Sequence, residues 1–330
     1  MEKEEIYMLR CINLAMRGAG RVNPNPMVGA VIVHNDRIIG EGFHRKYGEA
    51  HAEVNAINSV RDRRQLKQST IYVNLEPCCH QGKTPPCADL IIREGIPRVV
   101  VACRDPYPEV SGGGVRRLRE AGVEVITGML EEQASDLNRV FLVSHTHARP
   151  YIYLKWAQSA DGFIDRIRND ASTPPVVFSS PEMLQTIHRK RSEMMAIMVG
   201  TRTALLDNPS LTVRLWSGTS PVRVVLDRRL SIPSTHNIFN NQAPSIIFTA
   251  LEHEDIGTTE YVRIDFDANV LQQVLSHLYA CRLTSLMVEG GSRLLTSFIG
   301  QDLWDEIQVE TSPILLRQGV KAPALPFETP

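Results

Sequence analysis

Polar and apolar positions follow two rhythms along the chain, and the two take turns. Between residues 5 and 17, apolar side chains recur at Ile6, Leu9, Ile12 and Met16, the spacing of one helix face. After an Asn/Pro loop at 22–26, apolar runs at Val28–Val33 and Ile38–Phe43 flank Asn35-Asp36 and predict a hairpin. A helix is expected from His51 to about Val60, a strand at Ile71–Leu75, a helix from Cys87 to a terminating Gly95, and a strand at Val99–Cys103. A glycine-rich turn with a short helix over Ser111–Gly122 and a strand at Val123–Thr127 follow. Residues 144–150 are polar and aperiodic. They read as a linker that sets the domain boundary, with His145 and His147 as solvated linker residues.

The second half restarts with a strand at Tyr151–Trp156, then a helix capped by Ser179/Ser180-Pro181-Glu182 that runs to about Arg191. Strands are expected at Met195–Val199, Val222–Asp227, Ser245–Thr249 and Leu286–Glu289. The last enters Gly290-Gly291 and a helix from Ser292 to Ile299. This order predicts an α/β protein with largely parallel or mixed sheets. A length of 330 residues suits two cores, 1–147 and 148–330.

Net charge is −1, without the basic excess that phosphate neutralisation gives a nucleic-acid binder, so small molecules are the expected partners. The acidic, amphipathic N-terminus lacks a signal-peptide pattern, and no run approaches the ~20 apolar residues of a membrane span. A cytoplasmic protein with reduced thiols is expected. Of six cysteines, Cys11, Cys103 and Cys281 sit in apolar periodic surroundings and read as core, whereas Cys78, Cys79 and Cys87 fall close together, which favours metal.

His51-Ala52-Glu53 opens a predicted helix, Pro77-Cys78 follows a predicted strand, and Cys87 comes nine positions later. One imidazole and two thiolates make a three-ligand zinc set with an open fourth position for water, whose pKa zinc lowers toward ~7. Glu53, two residues past the histidine, can face that water without ligating the metal and shuttle its proton. The pattern is the H-x-E and P-C signature of zinc nucleobase deaminases, but with eight residues between the cysteines instead of two. A closed, bracing zinc site would recruit Cys79 or His80 and leave Glu53 without a role. In the second half, Val288–Arg293 lets backbone N–H groups approach a phosphate at a helix start, although it is no G-x-G-x-x-G fingerprint. The segment 200–209 reads as a polar loop leaving a strand. Arg191 and Arg214 could clamp a substrate phosphate, and Arg228 with Arg229 could read the 2′-phosphate of NADP.

The runs NPNPMVGAVIV, GEGFHRKYGEAHAEVNAI and NLEPCCHQGKTPPCADLII resemble the deaminase half of the bifunctional riboflavin-biosynthesis deaminase/reductase family. YLKWAQSADG, HRKRSEMMAIMVGTRTALLDNPSLTVR, PVRVVLD and LMVEGGSRLL resemble its reductase half, so the likeness covers essentially the whole chain. It implies a cytidine-deaminase-like α/β/α sandwich followed by a dihydrofolate-reductase-like domain. The first would deaminate a diaminopyrimidinone ribonucleotide, and the second would reduce its ribosyl chain to ribityl with NADPH. By the same resemblance, His51, Cys78 and Cys87 hold zinc, Glu53 is catalytic, and Asn25, His44, His80 and Lys83 line the deaminase pocket. Gln158, Thr203, Asp207, Arg228 and the run Gly291, Ser292, Arg293, Leu294, Leu295, Thr296 and Ser297 face the cofactor. Arg191, Leu211, Arg214 and Glu289 face the reductase substrate, with Lys155 and Asp161 in the same matched strand and turn. A homo-oligomer is expected. The family's tryptophan before the capped helix is absent from 172–178, and relatives continue past Pro330 with further strands. Both departures leave open an active deaminase joined to a non-catalytic reductase-like domain.

Overall fold

The computed structural model of the protein describes residues 2–79, 85–106 and 112–325. The chain forms two compact units, Met1–Ala148 and Arg149–Pro330.

In the first unit the elements are α1 (Lys3–Ala15), β1 (Gly29–His34), β2 (Arg37–Phe43), α2 (Ala52–Ser59), β3 (Thr70–Leu75), α3 (Cys87–Glu94), β4 (Arg98–Cys103), α4 (Gly113–Glu120), β5 (Glu124–Thr127), α5 (Glu131–Leu137) and α6 (Arg139–His147). The sheet order is β2-β1-β3-β4-β5, with β1 antiparallel to both β2 and β3 and the remaining pairs parallel. Period-two alternation gives the sheet two apolar faces. Ala30, Ile32, Ile71, Val73, Val99 and Val101 pack with Ala56 and Ile57 of α2, Ile91 of α3 and Leu118 of α4. Val31, Val33, Tyr72, Val100 and Ala102 pack with α1 and with Ala134 of α5 on the opposite side. The result is a three-layer α/β/α sandwich. Helix α2 lies almost on the backbone of β2, because a Cβ at Gly42 would stand 2.3 Å from Ala56 N and 2.6 Å from Ala52 O.

Helix α6 takes up the first half of the expected linker. His145 is half-buried and lies edge-on to Phe141 at 4.4 Å and Ser144 is fully buried, whereas Thr146 and His147 face solvent. Polar residues there form the last turn of a short helix, which their lack of strong periodicity concealed.

The second unit adds β6 (Tyr151–Gln158), β7 (Phe163–Asp165), α7 (Pro181–Glu193), β8 (Ala196–Gly200), α8 (Thr201–Asp207), β9 (Val222–Leu226), β10 (Ser245–Thr249), β11 (Thr259–Arg263), α9 (Val270–Ala280), β12 (Ser285–Glu289), α10 (Ser292–Gly300), β13 (Glu306–Thr311) and β14 (Val320–Lys321). Seven strands run in the order β11-β10-β9-β8-β12-β6-β13, and every pairing in that sheet is parallel. Ile152, Leu154, Trp156, Met198, Val288 and their neighbours bury one face against α9 and α10. The alternate residues Lys155 and Glu289 are register partners on the other face. Ser180 caps α7 by accepting from Met183 N at 3.2 Å, and Pro181 stands in its first turn.

Two expectations are corrected here. The 200–209 segment is not a loop, because Thr201–Asp207 forms α8, which starts at the extended Gly200 and stops at Asn208 in the left-handed region. Under two turns long and with only Ala204 buried, it shows little periodicity in sequence. Cys281 is exposed, unlike the buried Cys11 and Cys103. The apolar face Leu271-Val274-Leu275-Leu278 ends with α9, and the chain turns away at Arg282 (φ 60°).

Candidate active site

His51 is the residue before α2, with extended backbone (φ −69°, ψ 166°), so its ring leaves the helix start towards the 77–87 loop. Asn55 Nδ2 donates to Phe43 O and Ala50 O and fixes the approach to that turn. Cys87 opens α3, and its N–H donates to Cys78 Sγ at 3.3 Å. His51 Nδ1 is thereby 3.6 Å from Cys78 Sγ and 3.4 Å from Cys87 Sγ, and all three donor atoms lie within 4.8 Å of one another. Zinc–ligand bonds of about 2.3 Å to sulfur and 2.0–2.1 Å to nitrogen, at the tetrahedral angle, put nitrogen and sulfur about 3.5 Å apart. The two measured edges bracket that value, so the residues fit the metal.

The Cys87 thiol donates to Cys78. Despite burial, this bond together with His51 and the Cys87 N–H holds Cys78 at about 4, and the proton the two sulfurs share stays on Cys87. Glu53, in the first turn of α2, is 3% exposed. Burial, reinforced by the charge on Cys78, pushes its carboxyl above the usual range against the smaller opposing effects of His51 and Cys87. Cys79 does not close the ligand set. Its Sγ points to the start of α4, 2.7 Å from where a Cβ on Gly113 would stand.

Beside the ligands, the His44 ring meets the His51 ring edge-on at 5.5 Å. His44 is buried, which lowers its pKa and keeps it neutral. With Nδ1 3.2 Å from Ala50 O and Nε2 3.2 Å from Asn25 Nδ2, the consistent tautomer donates to the carbonyl and accepts from the amide. The Asn25 loop is itself held by two asparagines that sequence reasoning missed. Asn74 accepts from Gly29 N and donates to Met27 O, while Asn138 accepts from Met27 N at 2.8 Å and donates to Met27 O at 2.9 Å. Asn74 in an otherwise apolar strand was a visible signal, whereas Asn138 lies 111 residues from its partner. Glu76, also missed, accepts from Gly112 N and Val115 N and braces the chain next to Pro77-Cys78. His80 and Lys83 lie outside the described residues.

In the second unit, Arg191 spans the Glu289 carboxylate with Nε at 2.7 Å and Nη2 at 2.6 Å. Burial would raise Glu289, but Arg191, with Lys155 and His188 adding, wins and holds it below the ordinary range. Burial and the neighbouring Arg191 and Arg214 push His188 down to about 4. Its Nδ1 accepts from Arg214 N at 3.0 Å. Arg214 also donates to Thr212 Oγ1, and Leu211, buried with φ 53°, turns the chain into this cluster. Lys155 approaches Glu310 at 4.0 Å, and burial lowers its pKa. Lys155, Arg191, Arg214 and Glu289 therefore converge. The Arg191 fork, expected on a phosphate, is engaged by Glu289.

Gly290 and Gly291 have positive φ (98° and 79°), and Thr203 of α8 sits over them, 3.4–3.5 Å from where their Cβ atoms would stand. Ser292 Oγ donates to Lys321 O, and Ser297 Oγ to Arg293 O. Arg293, Thr296 and Ser297 are exposed, whereas Leu295 is fully buried in the core. A cavity of about 330 Å³ includes Leu226, Phe266, Leu294 and Ser297 in its walls. Arg228 stacks at 5.7 Å on Phe266 and pairs with Asp267. Gln158 accepts from Trp156 Nε1 at 2.8 Å. Asp207 is bound by Arg168, a buried residue that sequence reasoning missed and that also holds Asp165 and Thr173 O. Val176 N donates to Asp165 Oδ1, so the 172–178 segment is pinned from below while Val177 faces solvent. Asp161 accepts from Leu316 N and Arg317 N, a structural tie.

Known proteins share this architecture. The model for the cytidine and deoxycytidylate deaminase zinc-binding region matches residues 1–103, and that for the RibD C-terminal domain matches residues 150–324. The riboflavin biosynthesis protein RibD of Aquifex aeolicus is 40% identical over 97% of this chain and 89% of its own, and that of Bacillus amyloliquefaciens is 42% identical over 98% and 87%. The crystal structure of a diaminohydroxyphosphoribosylaminopyrimidine deaminase/5-amino-6-(5-phosphoribosylamino)uracil reductase from Thermotoga maritima superposes with a TM-score of 0.87 at 40% identity, covering 97% of this chain and 89% of that one.

Proposed function

Because the chain belongs to the RibD family of bifunctional riboflavin-biosynthesis enzymes, we propose a sequential pair of reactions in its two units. The first hydrolyses an amino group from a diaminohydroxyphosphoribosylaminopyrimidine, and the second reduces the resulting 5-amino-6-(5-phosphoribosylamino)uracil with NADPH. The observation that carries this reading is the His51–Cys78–Cys87 triangle with zinc-sized edges beside a buried, non-ligating carboxyl.

Zinc, when bound by His51, Cys78 and Cys87, supplies a Lewis acid that brings the pKa of water toward ~7. Glu53 takes one proton from the attacking water and delivers it to the pyrimidine ring nitrogen, then takes the second from the hydroxyl now on the ring carbon and passes it to the amine, which departs as ammonia. Its raised pKa suits both directions of transfer. Neutral His44 orients the Asn25 carboxamide toward the pyrimidine edge, and His80 and Lys83 complete the pocket by the family pattern.

In the second unit NADPH, when bound, would supply the hydride that reduces the sugar chain, and the protein's own residues would position it and the substrate. The Gly290-Gly291 turn and the start of α10 offer backbone N–H groups to the cofactor phosphates, with Thr203 and Ser292 alongside. A cavity of this size suits one half of a dinucleotide, and Arg228 at its margin suits the 2′-phosphate. Arg214 takes the substrate phosphate, while Arg191 holds Glu289, with Lys155 as its register partner, toward the ribose hydroxyls. A cytoplasmic location is the reading we keep for this chain, and among the described residues no helix is long and apolar enough to cross a membrane.

The test is a coupled assay of the zinc-loaded protein on the diaminopyrimidine nucleotide. Stoichiometric ammonia followed by equimolar NADPH oxidation is expected. Ammonia without NADPH oxidation would reduce the second unit to a non-catalytic role, and no ammonia would overturn the assignment.

A further inference from the structure

A second cluster of metal-type donors lies away from everything used above. Glu260 stands on β11, the edge strand of the seven-stranded sheet, and His277 and Cys281 stand one turn apart at the end of α9. Their donor atoms all lie within 4.8 Å of one another. Glu260 Oε1 is 3.2 Å from His277 Nε2, and Cys281 Sγ is 3.5 Å from the same nitrogen. Tetrahedral zinc places a nitrogen about 3.4 Å from a carboxylate oxygen and about 3.5 Å from a thiolate sulfur. The cluster thus has nearly the same edges as the His51 triangle in the first unit.

A Cys–His–Glu group can also serve as a nucleophile relay, in which the thiol uses one ring nitrogen and the carboxylate orients the other. Here thiol and carboxylate both converge on Nε2, which rules against a relay and fits a chelate. The imidazole is oriented by Phe248, which it meets edge-on at 5.5 Å and 88°. The i,i+4 spacing keeps Nε2 and Sγ on one helix face. Burial, with Glu260 adding, raises the Cys281 thiol, so without a cation it is a poor nucleophile. Cys281 is exposed, which gives a cation an entry path and water a fourth position.

We propose that Glu260, His277 and Cys281 form a second, solvent-open site for a zinc-type divalent cation, which staples the edge strand β11 to α9. Imidazole plus thiolate selects borderline ions such as Zn²⁺ or Co²⁺ over Mg²⁺ and Ca²⁺. The site is distinct from the deaminase centre and does not depend on it.

The experiment strips the full chain with a chelator and titrates it with Zn²⁺ against a chromophoric competitor. Two equivalents are expected in the parent protein and one in Cys281→Ser, with NADPH oxidation unchanged in that variant. A Cys281→Ser protein that takes as many equivalents as the parent overturns the proposal, whatever the deaminase centre binds. Alkylation read at the Cys281 peptide gives an independent check on the unaltered chain. Zinc at about ten times Kd should slow labelling about tenfold, and the same concentration of Mg²⁺ should not. Equal labelling in the two ions overturns the proposal as well.

Discussion

Replacing Arg191 by alanine removes the cation that keeps Glu289 ionised inside the second unit. The guanidinium spans the carboxylate at 2.7 and 2.6 Å, and the two side chains are only 13% and 15% exposed. At that depth, losing one partner costs about 3–5 kcal/mol, because the other charge stays buried. Lys155, the register partner of Glu289, remains to compensate in part, so the lower end, about 3 kcal/mol, is expected. In a unit of this size each kcal/mol moves the Tm by about 2–4 °C, which gives a loss of about 6–12 °C. The chain's three tryptophans, Trp156, Trp216 and Trp304, all lie in the second unit. Tryptophan fluorescence during urea unfolding therefore reads that unit without interference from the first.

The dependence on pH checks the cause. Beside Arg191, Glu289 titrates below its ordinary value. The pair's contribution is therefore present above the unfolded carboxylate pKa and lost as pH falls through the lower folded one. In Arg191→Ala, burial acts against only the smaller effects of Lys155 and His188, so the folded pKa rises above the unfolded one and the sign reverses. The penalty is then full at neutral pH and fades as pH falls through that raised value. Replacement by lysine should restore only part of the loss, since it lacks the fork. A destabilisation below about 1 kcal/mol, the size found for exposed pairs, would refute the reasoning. So would a penalty that grows toward acid pH.

Three further outcomes are expected. Glu53→Gln should retain zinc and lose about 10²–10⁴ in ammonia release while NADPH oxidation on deaminated substrate is unchanged; metal analysis and the two assays on one preparation check this. Asn138→Ala leaves the Met27 N–H and C=O short of a partner, so it should destabilise the first unit by about 1–3 kcal/mol and raise the deaminase KM more than it lowers kcat. Gly42→Val drives a side chain into the α2 backbone. It should displace His51 and lower zinc affinity, whereas unchanged zinc affinity in a titration would show that the close approach does not position the ligand.

Much of the deaminase centre is legible in sequence, because its ligands are set by local turns. His51 precedes a helix, Cys87 begins another, and Cys78 follows a strand by three residues, so residue type and spacing carry the geometry. The supporting contacts are not legible, because Asn138 and Glu76 act on backbone far away or across an irregular loop. The second unit reads less well for the same reason. Arg191 is separated from Glu289 by 98 residues, and its engagement there is a tertiary fact. Short helices such as α6 and α8 escaped because each buries only one residue, too little apolar face to show a period.

The position of β6 in its sheet has a consequence for how the protein is made. Both of its neighbours, β12 and β13, come later in the chain, so β6 has no partner until residue 289 leaves the ribosome. At about 5–20 residues per second that wait lasts on the order of 6–25 s. Throughout it the run Tyr151–Trp156, wholly buried in the finished protein, is exposed to solvent and to other nascent chains. Chaperone supply during synthesis, more than the final stability of the sheet, should then govern how much of this chain reaches its native form.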